Sequence, residues 1–241
     1  MPERTSAIIV AAGTGERMAS GGVPKQYLEL SGAPLLCWSA LALSRSRLIS
    51  ELLVVSAPEW MDKAREIMTK HCPAVSCRMV AGGNHRQESV RCGLDAAPEA
   101  ELVLVHDAAR PFVSADLADR TLQAARQEGA ATASLRPADT VKLLDPETGK
   151  DRNLPRERLR IIQTPQSFRA DMLRQAHEAG QKDSYQATDD TDLVERLGHK
   201  TVMVEGSPFN LKITNAADWD LARALIASGL VPAFGETGEK S

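Results

Sequence analysis

The chain has 241 residues, of which 43% are hydrophobic, 25% are charged and only 4% are aromatic. These proportions are typical of a globular protein with a buried core. The formal net charge of −3 excludes a generally basic surface for nucleic-acid backbones, so we expect no nucleic-acid partner and only a local site for any anion. We expect a single domain over residues 1–235 and a disordered tail over 236–241.

The sequence indicates neither a membrane segment nor a zinc site. Its apolar start is too short for a secretory signal, and no stretch approaches the ~20 apolar residues that span a bilayer, so we expect no membrane partner. The cysteines lack the spacing of zinc ligands and are interpreted as reduced thiols of a cytoplasmic protein; they are Cys37, Cys72, Cys77 and Cys92.

Up to residue 135, short apolar runs alternate with amphipathic stretches. Fully apolar runs separated by helices are typical of a parallel sheet covered on both faces, so the pattern predicts a doubly wound, Rossmann-like α/β fold with a mostly parallel sheet. Strands are predicted at 6–12, 51–56, 76–80, 102–106 and 130–135. Helices are predicted at 34–44, 59–70 and 89–96, with a fourth capped by Ser114 and ending near Glu128.

Residues 136–160 break this rhythm, because two modest β-like pieces flank a turn that contains Pro146 and Gly149. We interpret this segment as a protruding β-arm rather than a second domain. Since such an arm often packs on a second subunit, we expect a homodimer formed through it. After the arm, the sequence predicts helices at 169–179, 190–197 and 215–228 and a strand at 200–205.

The loop after the first strand is rich in glycine and carries Arg17 and Lys25; from residue 11 it reads AAGTGERMASGGVPKQY. Glycines let backbone N–H groups approach a phosphate, and the two cations would add charge. The loop contains no Walker A run, and Met18 stands where a dinucleotide-binding fingerprint needs its third glycine. A phosphate cradle and a flexible loop both remain open, although the spacing to Pro24-Lys25-Gln26 favours the cradle.

A second group of polar residues, HDAARP from His106, follows the most apolar strand. Asp107 is well placed there to hold Mg²⁺ that bridges substrate phosphates, or else to cap the next turn. Arg110 could pair with Asp107 or with a substrate anion. We interpret His106 as a packing or hydrogen-bonding residue rather than a base.

Two further segments leave alternatives open. In AGGNHRQESV, from residue 81, the glycines and polar side chains could read a base and a ribose, while Ser89 could instead be a helix N-cap. In FNLKIT, from residue 209, Lys212 stands in an apolar run that we predict to be a strand, and its side chain points either to solvent or into a site.

Eight separated segments together resemble the 2-C-methyl-D-erythritol 4-phosphate cytidylyltransferases of the non-mevalonate isoprenoid pathway. In order from residue 11 to 214 they are AAGTGERM, PKQYLEL, AGGNHRQESV, VHDAARPF, ADT, QTPQSF, ATDD and NLKIT. The resemblance implies a nucleotidyltransferase that transfers CMP from CTP to 2-C-methyl-D-erythritol 4-phosphate, a polyol phosphate, and releases pyrophosphate. It also implies Mg²⁺ as cofactor.

Residue roles follow from the same resemblance. The implied catalytic cations are Arg17, Lys25 and Lys212. The implied nucleotide-binding residues are Ala11, Ala12, Gly13, Gly15, Gly83, Asn84 and Ser89. The implied substrate-binding residues are Asp107 (also the metal ligand), Arg110, Thr140, Arg156, Thr164 and Thr188, of which Thr140 and Arg156 would reach substrate in a partner subunit. The sequence departs from the family at Asn84, where an acidic residue is common, and at Glu88, where Asp is common.

Three rival functions share part of this pattern. Ribitol 5-phosphate cytidylyltransferases share the PKQ and HDAAR features, but the QESV stretch from Gln87 favours the methylerythritol enzymes. A nicotinamide-dependent dehydrogenase is disfavoured by Met18 and by Ser56, because no acidic residue closes the second strand. A non-catalytic nucleotide sensor is disfavoured because Lys25, Asp107 and Lys212 are all retained.

Overall fold

A computed structural model describes residues 3–13 and 22–236. In these residues a seven-stranded sheet has the order β11-β7-β10-β6-β1-β4-β5, and all neighbouring strands are parallel except where β10 pairs with β6 and β7. The sheet strands are β1 Thr5–Ala11, β4 Glu51–Ser56, β5 Arg78–Ala81, β6 Leu102–Asp107, β7 Ala130–Leu135, β10 Ile161–Arg169 and β11 Val202–Glu205. The predicted mostly parallel α/β fold is confirmed.

Helices cover both faces of this sheet, because alternate residues of its strands point to opposite sides. In β1, Ala7 and Ile9 pack in one apolar layer and Ile8 in the other. The helices are α1 Leu35–Leu43, α2 Met61–His71, α3 Arg86–Ala96, α4 Ala115–Glu128, α5 Ala170–Lys182, α6 Asp190–Arg196 and α7 Ala216–Ala227. None of the helices in the described residues has both the length and the apolar character needed to cross a membrane.

Most predicted elements lie within a few residues of their observed bounds. The strands at 51–56 and 130–135 have the predicted bounds, and Ser114 caps α4 by accepting a hydrogen bond from the Leu117 N–H. The prediction of a strand at 209–214 is wrong, because residues 211–214 form no regular secondary structure. There the Ile213 N–H donates 2.8 Å to the carbonyl of Ala109 instead of joining the sheet.

Strand β10 was not predicted. Its centre, Gln163 to Ser167, is polar and contains Pro165, which does not resemble the apolar run of a buried strand. Hydrogen bonds stabilise these buried polar side chains: Gln163 donates to the carbonyl of Ser207 at 3.0 Å, and Ser167 donates to Thr121 Oγ1 at 2.9 Å. The pairing register with β7 shifts between Ile162 and Gln166, where the ladder is interrupted.

Two short pairs of strands lie outside the main sheet. Strands β2 Glu29–Leu30 and β3 Ala33–Pro34 form a small antiparallel pair before α1. Strands β8 Val141–Leu143 and β9 Arg152–Leu154 also pair antiparallel, as the arm interpretation predicted. Leu143 and Leu144 of this arm are 45% and 64% exposed, so the described residues of one chain leave these two apolar side chains largely uncovered.

The strand order changes direction at β1. The chain runs outward from β1 through β4 to β5 and then returns to place β6 on the other side of β1. In open α/β sheets, ligands bind beyond the carboxyl ends of the strands at such a switch point. The residues after Ala11 and after Asp107 lie at this position.

Candidate active site

A cavity of about 560 Å³ opens at the carboxyl ends of β1 and β6. This volume lies within the range that small-molecule sites occupy, ~300–1,000 Å³. Eight of the residues predicted to form a site line it: Ala11, Ala12, Gly13, Lys25, Asn84, Ser89, Asp107 and Lys212. The fold therefore brings together residues that are up to 201 positions apart in the sequence (Ala11 to Lys212).

Gln26 fixes the backbone where β1 enters the glycine-rich loop. Its buried side chain donates from Nε2 to the carbonyl oxygens of Ala11 and Gly13, at 2.6 and 2.8 Å. Gln26 belongs to the PKQ motif, but the sequence predicted no role for it. The predicted site residues Gly15 and Arg17 lie outside the described residues.

Asp107 belongs to a group of interacting side chains that we call the inner wall: Arg86, Asp107, Asp190 and His177. Arg86 Nε lies 3.0 Å from Asp107 Oδ1, and Arg86 Nη1 lies 2.7 Å from Asp190 Oδ2. His177 donates from Nε2 to Asp190 Oδ1 at 3.2 Å, and both of these side chains are buried. Arg86 thus joins two carboxylates that are 83 positions apart in the sequence (Asp107 and Asp190).

The electrostatics of this wall keep Arg86, Asp107 and Asp190 charged. Burial alone would raise the pKa of Asp107, but the positive charges of Arg86 and Lys212 outweigh it and hold that pKa well below its usual range. Burial acts to lower the pKa of Arg86, yet the carboxylates of Asp190 and Asp107 raise it above its ordinary value. The pKa of Asp190 is likewise lowered, because Arg86 and the hydrogen bond from His177 outweigh its burial.

The same contacts bear on the metal role predicted for Asp107. Its Oδ1 atom accepts from Arg86, and its Oδ2 atom lies 2.7 Å from Lys212 Nζ. In the described part of the chain, no three His, Cys, Asp or Glu residues are grouped to hold a metal ion. A metal ion on Asp107 would have to displace one of these cations, so the protein residues alone do not fit a metal centre, and the metal role of Asp107 stays a prediction.

His106 lies behind Asp107 and is fully buried. Burial lowers the pKa of His106 to about 4, so the ring is neutral near pH 7. Nε2 lies 3.1 Å from the Arg110 carbonyl, which can only accept, so Nε2 carries the hydrogen and Nδ1 accepts from Thr164 Oγ1 at 3.0 Å. Thr164 Oγ1 in turn accepts from the Asp107 N–H at 3.1 Å. The chain of hydrogen bonds fixes the backbone that carries Asp107 and agrees with the structural interpretation of His106.

The loop between β5 and α3 lies beside the inner wall. Helix α3 begins at Arg86, so the alternative of Ser89 as a helix N-cap is wrong. Ser89 lies within the first turns of α3, where its hydroxyl accepts from the Gly83 N–H at 3.2 Å and donates to the His85 carbonyl at 3.0 Å. Glu88 accepts from the Asn84 N–H at 2.8 Å. Two side chains of α3 thus hold the Gly83–Asn84 backbone at the cavity.

A second part of the cavity lining, which we call the lysine wall, is formed by Lys25 and by the segment 211–214. Lys25 Nζ donates to the Ile213 carbonyl at 2.7 Å, and the ammonium group of Lys212 pairs with Asp107. The Lys212 side chain is 39% exposed, compared with 10% for Asp107. Both lysines line the cavity, and the partly exposed Lys212 can be reached by an incoming anion.

The structure does not bring every predicted residue to the cavity lining. Arg110 does not line the cavity and forms no ion pair with Asp107, although its charge helps to lower the pKa of Asp107. Its Nη1 donates to the Asn210 carbonyl at 2.8 Å. Thr164 is buried beneath Asp107, and the exposed Thr188 contacts Asp192 through its N–H. Thr140 and Arg156 are exposed beside the arm, where Arg156 donates to the Ala138 carbonyl. Within one chain, none of these five residues lines the cavity.

Comparisons with known proteins agree with this fold. The α/β sheet with a cationic cavity at its switch point defines a class of proteins that bind anionic ligands beyond the strand ends. The family model of IspD, 2-C-methyl-D-erythritol 4-phosphate cytidylyltransferase, matches residues 5–228. The chain belongs to this family.

Individual relatives cover most of the chain. A 2-C-methyl-D-erythritol 4-phosphate cytidylyltransferase of Solibacter usitatus is 37% identical over 92% of this chain and 96% of its own length. A bifunctional IspD/IspF enzyme of Desulforudis audaxviator is 42% identical over 94% of this chain, which spans only 58% of that relative. The crystal structure of a 4-diphosphocytidyl-2C-methyl-D-erythritol synthase from Anaerococcus prevotii has a TM-score of 0.83 and 32% identity, covering 94% of this chain and 97% of that one.

Proposed function

We propose that this chain transfers CMP from CTP to 2-C-methyl-D-erythritol 4-phosphate, giving 4-diphosphocytidyl-2-C-methyl-D-erythritol and pyrophosphate. One observation carries the proposal: in a chain of this family, Lys25, Asp107 and Lys212 converge on one cavity at the sheet's switch point. A cytoplasmic location, expected from cysteines that are all free, belongs to the same proposal.

The chemistry needs no covalent enzyme intermediate. A phosphate oxygen of the methylerythritol phosphate attacks the α-phosphorus of CTP in line, and a new P–O bond forms. The bond from the α-phosphorus to the oxygen that bridges to the β-phosphorus breaks, and its electron pair leaves with pyrophosphate. Because both reactants are anions, the protein must hold them together and stabilise the charge on the phosphoryl oxygens.

The two walls divide this work in our proposal. Lys25 and Lys212, with Arg17, bind the phosphate oxygens of both reactants. Asp107 orients Lys212 and accepts hydrogen bonds from substrate hydroxyls, while Arg86 holds Asp107 in place. Gly83, Asn84 and Ser89 would contact the cytosine and ribose.

A divalent cation, Mg²⁺ in our proposal, enters with the triphosphate as part of the substrate. Mg²⁺ keeps several waters and prefers phosphate oxygens to a cage of protein ligands. That preference suits a cavity in which both oxygens of Asp107 already contact cations. The ion supplies charge neutralisation on the triphosphate, and the protein residues bind the resulting complex.

We also propose that the chain works as a homodimer in which the arm of one subunit completes the site of the other. The exposed apolar residues Leu143 and Leu144 support this, since their burial needs a surface that a single chain does not provide. Thr140 and Arg156 would then contact the phosphate of the polyol substrate bound to the partner subunit.

The proposal is tested by pyrophosphate release from CTP and Mg²⁺ with each candidate acceptor. We expect release with 2-C-methyl-D-erythritol 4-phosphate and little with ribitol 5-phosphate. The reverse preference would replace the acceptor and keep the cytidylyl transfer. No release with either acceptor, from protein whose folding is verified by circular dichroism, would overturn the proposal.

A further inference from the structure

The positions of both lysines depend on a short irregular segment. Residues 211–214 form no helix or strand, yet they carry Lys212 and the carbonyl of Ile213 that accepts from Lys25. On one side, the segment is fixed by the hydrogen bond from the Ile213 N–H to the Ala109 carbonyl. Its other side leads directly into α7, so the start of that helix decides where the lysine wall lies.

Asp218, in the first turn of α7, holds this end of the segment. Its Oδ2 atom accepts three hydrogen bonds, from the Thr214 N–H at 2.7 Å, the Thr214 hydroxyl at 2.6 Å and the Asn215 N–H at 3.1 Å. The Asn215 side chain returns the contact by accepting from the Asp218 N–H at 3.0 Å, which completes a capping box.

The contacts exceed what a helix cap requires. A capping box needs the carboxylate to bind only the N-cap N–H, here that of Asn215. The two bonds to Thr214 fix the residue next to Ile213, outside the helix. Burial raises the pKa of Asp218, but the hydrogen bonds from Thr214 and Asn215 and the charge of Lys25 lower it below its usual value, which keeps the group a carboxylate.

We infer that Asp218 is a positioning residue for the active site: through Thr214 it fixes the segment that places the ammonium groups of Lys212 and Lys25. The inference rests on the proposed function, in which those two lysines bind phosphate oxygens. Asp218 touches no substrate. Its loss lets the segment shift, and a misplacement of ~1 Å in a catalytic group can reduce rate about a hundredfold.

Three variants at the start of α7 separate the positioning role of Asp218 from its contribution to helix stability. Asp218→Ala removes all three bonds to Oδ2, whereas Asp218→Asn keeps one oxygen that can accept them. Asn215→Ala removes the other half of the capping box and leaves the Thr214 contacts, so it is the matched control. We expect kcat/KM to fall roughly ten- to hundredfold in Asp218→Ala. In the Asp218→Asn and Asn215→Ala variants, kcat/KM should stay within about threefold of wild type. This change is smaller than the tenfold change that corresponds to about 1.4 kcal/mol.

A double-mutant cycle tests whether Asp218 acts through the lysines. In a Lys212→Ala or Lys25→Ala background, we expect Asp218→Ala to reduce kcat/KM by a clearly smaller factor than it does in wild type, because residues of one network are not additive. A full, independent loss in both backgrounds would overturn the inference. So would an Asn215→Ala variant as impaired as Asp218→Ala, since that would assign the effect to the helix.

Calorimetric titration measures CTP affinity, so it tests the role of Asp218 without depending on the proposed reaction. We expect Asp218→Ala to bind CTP roughly tenfold more weakly than wild type, equivalent to one charge-assisted contact. Wild-type protein that binds CTP but releases no pyrophosphate would overturn the proposed function and leave the affinity comparison to decide on Asp218. Equal CTP affinity in the two proteins, or no binding by wild type, would overturn the inference.

Discussion

The two walls of the cavity are built in different ways. The inner wall consists of buried charges that satisfy one another, with Arg86 held between Asp107 and Asp190 and His177 behind them. The lysine wall consists of an irregular segment with a partly exposed Lys212 and an ammonium group of Lys25 on a neutral carbonyl. The difference indicates that the inner wall provides rigid placement and that the lysine wall provides the charges that meet the substrate.

The largest effect should come from removing the cation of the inner wall. We expect Arg86→Met to lower the free energy of unfolding by about 3–5 kcal/mol, because the buried carboxylates of Asp107 and Asp190 lose the cation that they share. Urea denaturation at pH 7 measures this. Arg91→Met is the matched control on α3: Arg91 pairs with Asp95 at 3.4 Å on the surface, and such pairs contribute about 1 kcal/mol or less. Equal losses in the two variants would show that the inner wall is not the rigid one.

The lysine wall should respond in activity and not in stability. We expect Lys25→Ala to reduce turnover about a hundredfold, equivalent to ~3 kcal/mol of transition-state stabilisation, by analogy with the loss of an oxyanion donor. Its free energy of unfolding should change by no more than about 1 kcal/mol. Steady-state pyrophosphate release measures the turnover, and urea denaturation measures the free energy of unfolding. Lys63→Ala, at an exposed ion pair of α2, is the control, and near-full activity of Lys25→Ala would remove this lysine from the mechanism.

The sequence predicted the lysine wall better than the inner wall. Lys25 and Lys212 stand in segments whose composition is unusual, a glycine-rich loop and an apolar run with one cation. Arg86 also stands in a quoted segment, but its partners Asp107 and Asp190 follow 21 and 104 residues later. Nothing local indicates such long-range ion pairs, so the role of Arg86 became clear only from the fold.

The secondary structure was likewise predicted well in some segments and missed in others. Strands such as β4 and β7 were predicted with their observed bounds because their apolar residues alone indicate burial. Strand β10 buries the polar side chains of Gln163, Gln166 and Ser167, whose hydrogen-bonding groups are satisfied within the protein. A hydrophobic pattern does not detect a strand of this kind. Lys212 was assigned to a strand from the apolar residues around it. The segment around Lys212 is instead irregular, and its backbone N–H groups donate hydrogen bonds to the Ala109 carbonyl and to the Asp218 carboxylate.

Acid should lower the stability of the protein through His106, which lies behind the inner wall. Its pKa is about 4 in the folded protein, below the ordinary ~6.5 of an unfolded chain. Between these values the unfolded chain binds more protons, so the free energy of unfolding falls as the pH drops from about 6.5 to 4. This residue contributes at most about 3 kcal/mol to that loss.

The test compares the slopes of stability against pH for wild type and His106→Gln. Glutamine does not titrate, so the variant should show a shallower slope between pH 6.5 and 4, whatever its stability at pH 7. Identical slopes would mean that His106 is not held neutral by its buried contacts with Thr164 and the Arg110 carbonyl.

The smallest effect should appear in the loop beside the inner wall. Ser89→Ala removes the acceptor for the Gly83 N–H, a contact worth about 1 kcal/mol. If this loop reads the nucleotide, the change should raise the KM for CTP roughly fivefold and leave the KM for the polyol phosphate unaltered. Ser114→Ala loses the cap of α4, with a similar stability loss of ~1 kcal/mol but no contact to this loop. Only a selective change in the KM for CTP in Ser89→Ala distinguishes a nucleotide-binding loop from one that merely packs on α3. A rise of equal size in both variants would instead show that general loss of stability explains the weaker binding.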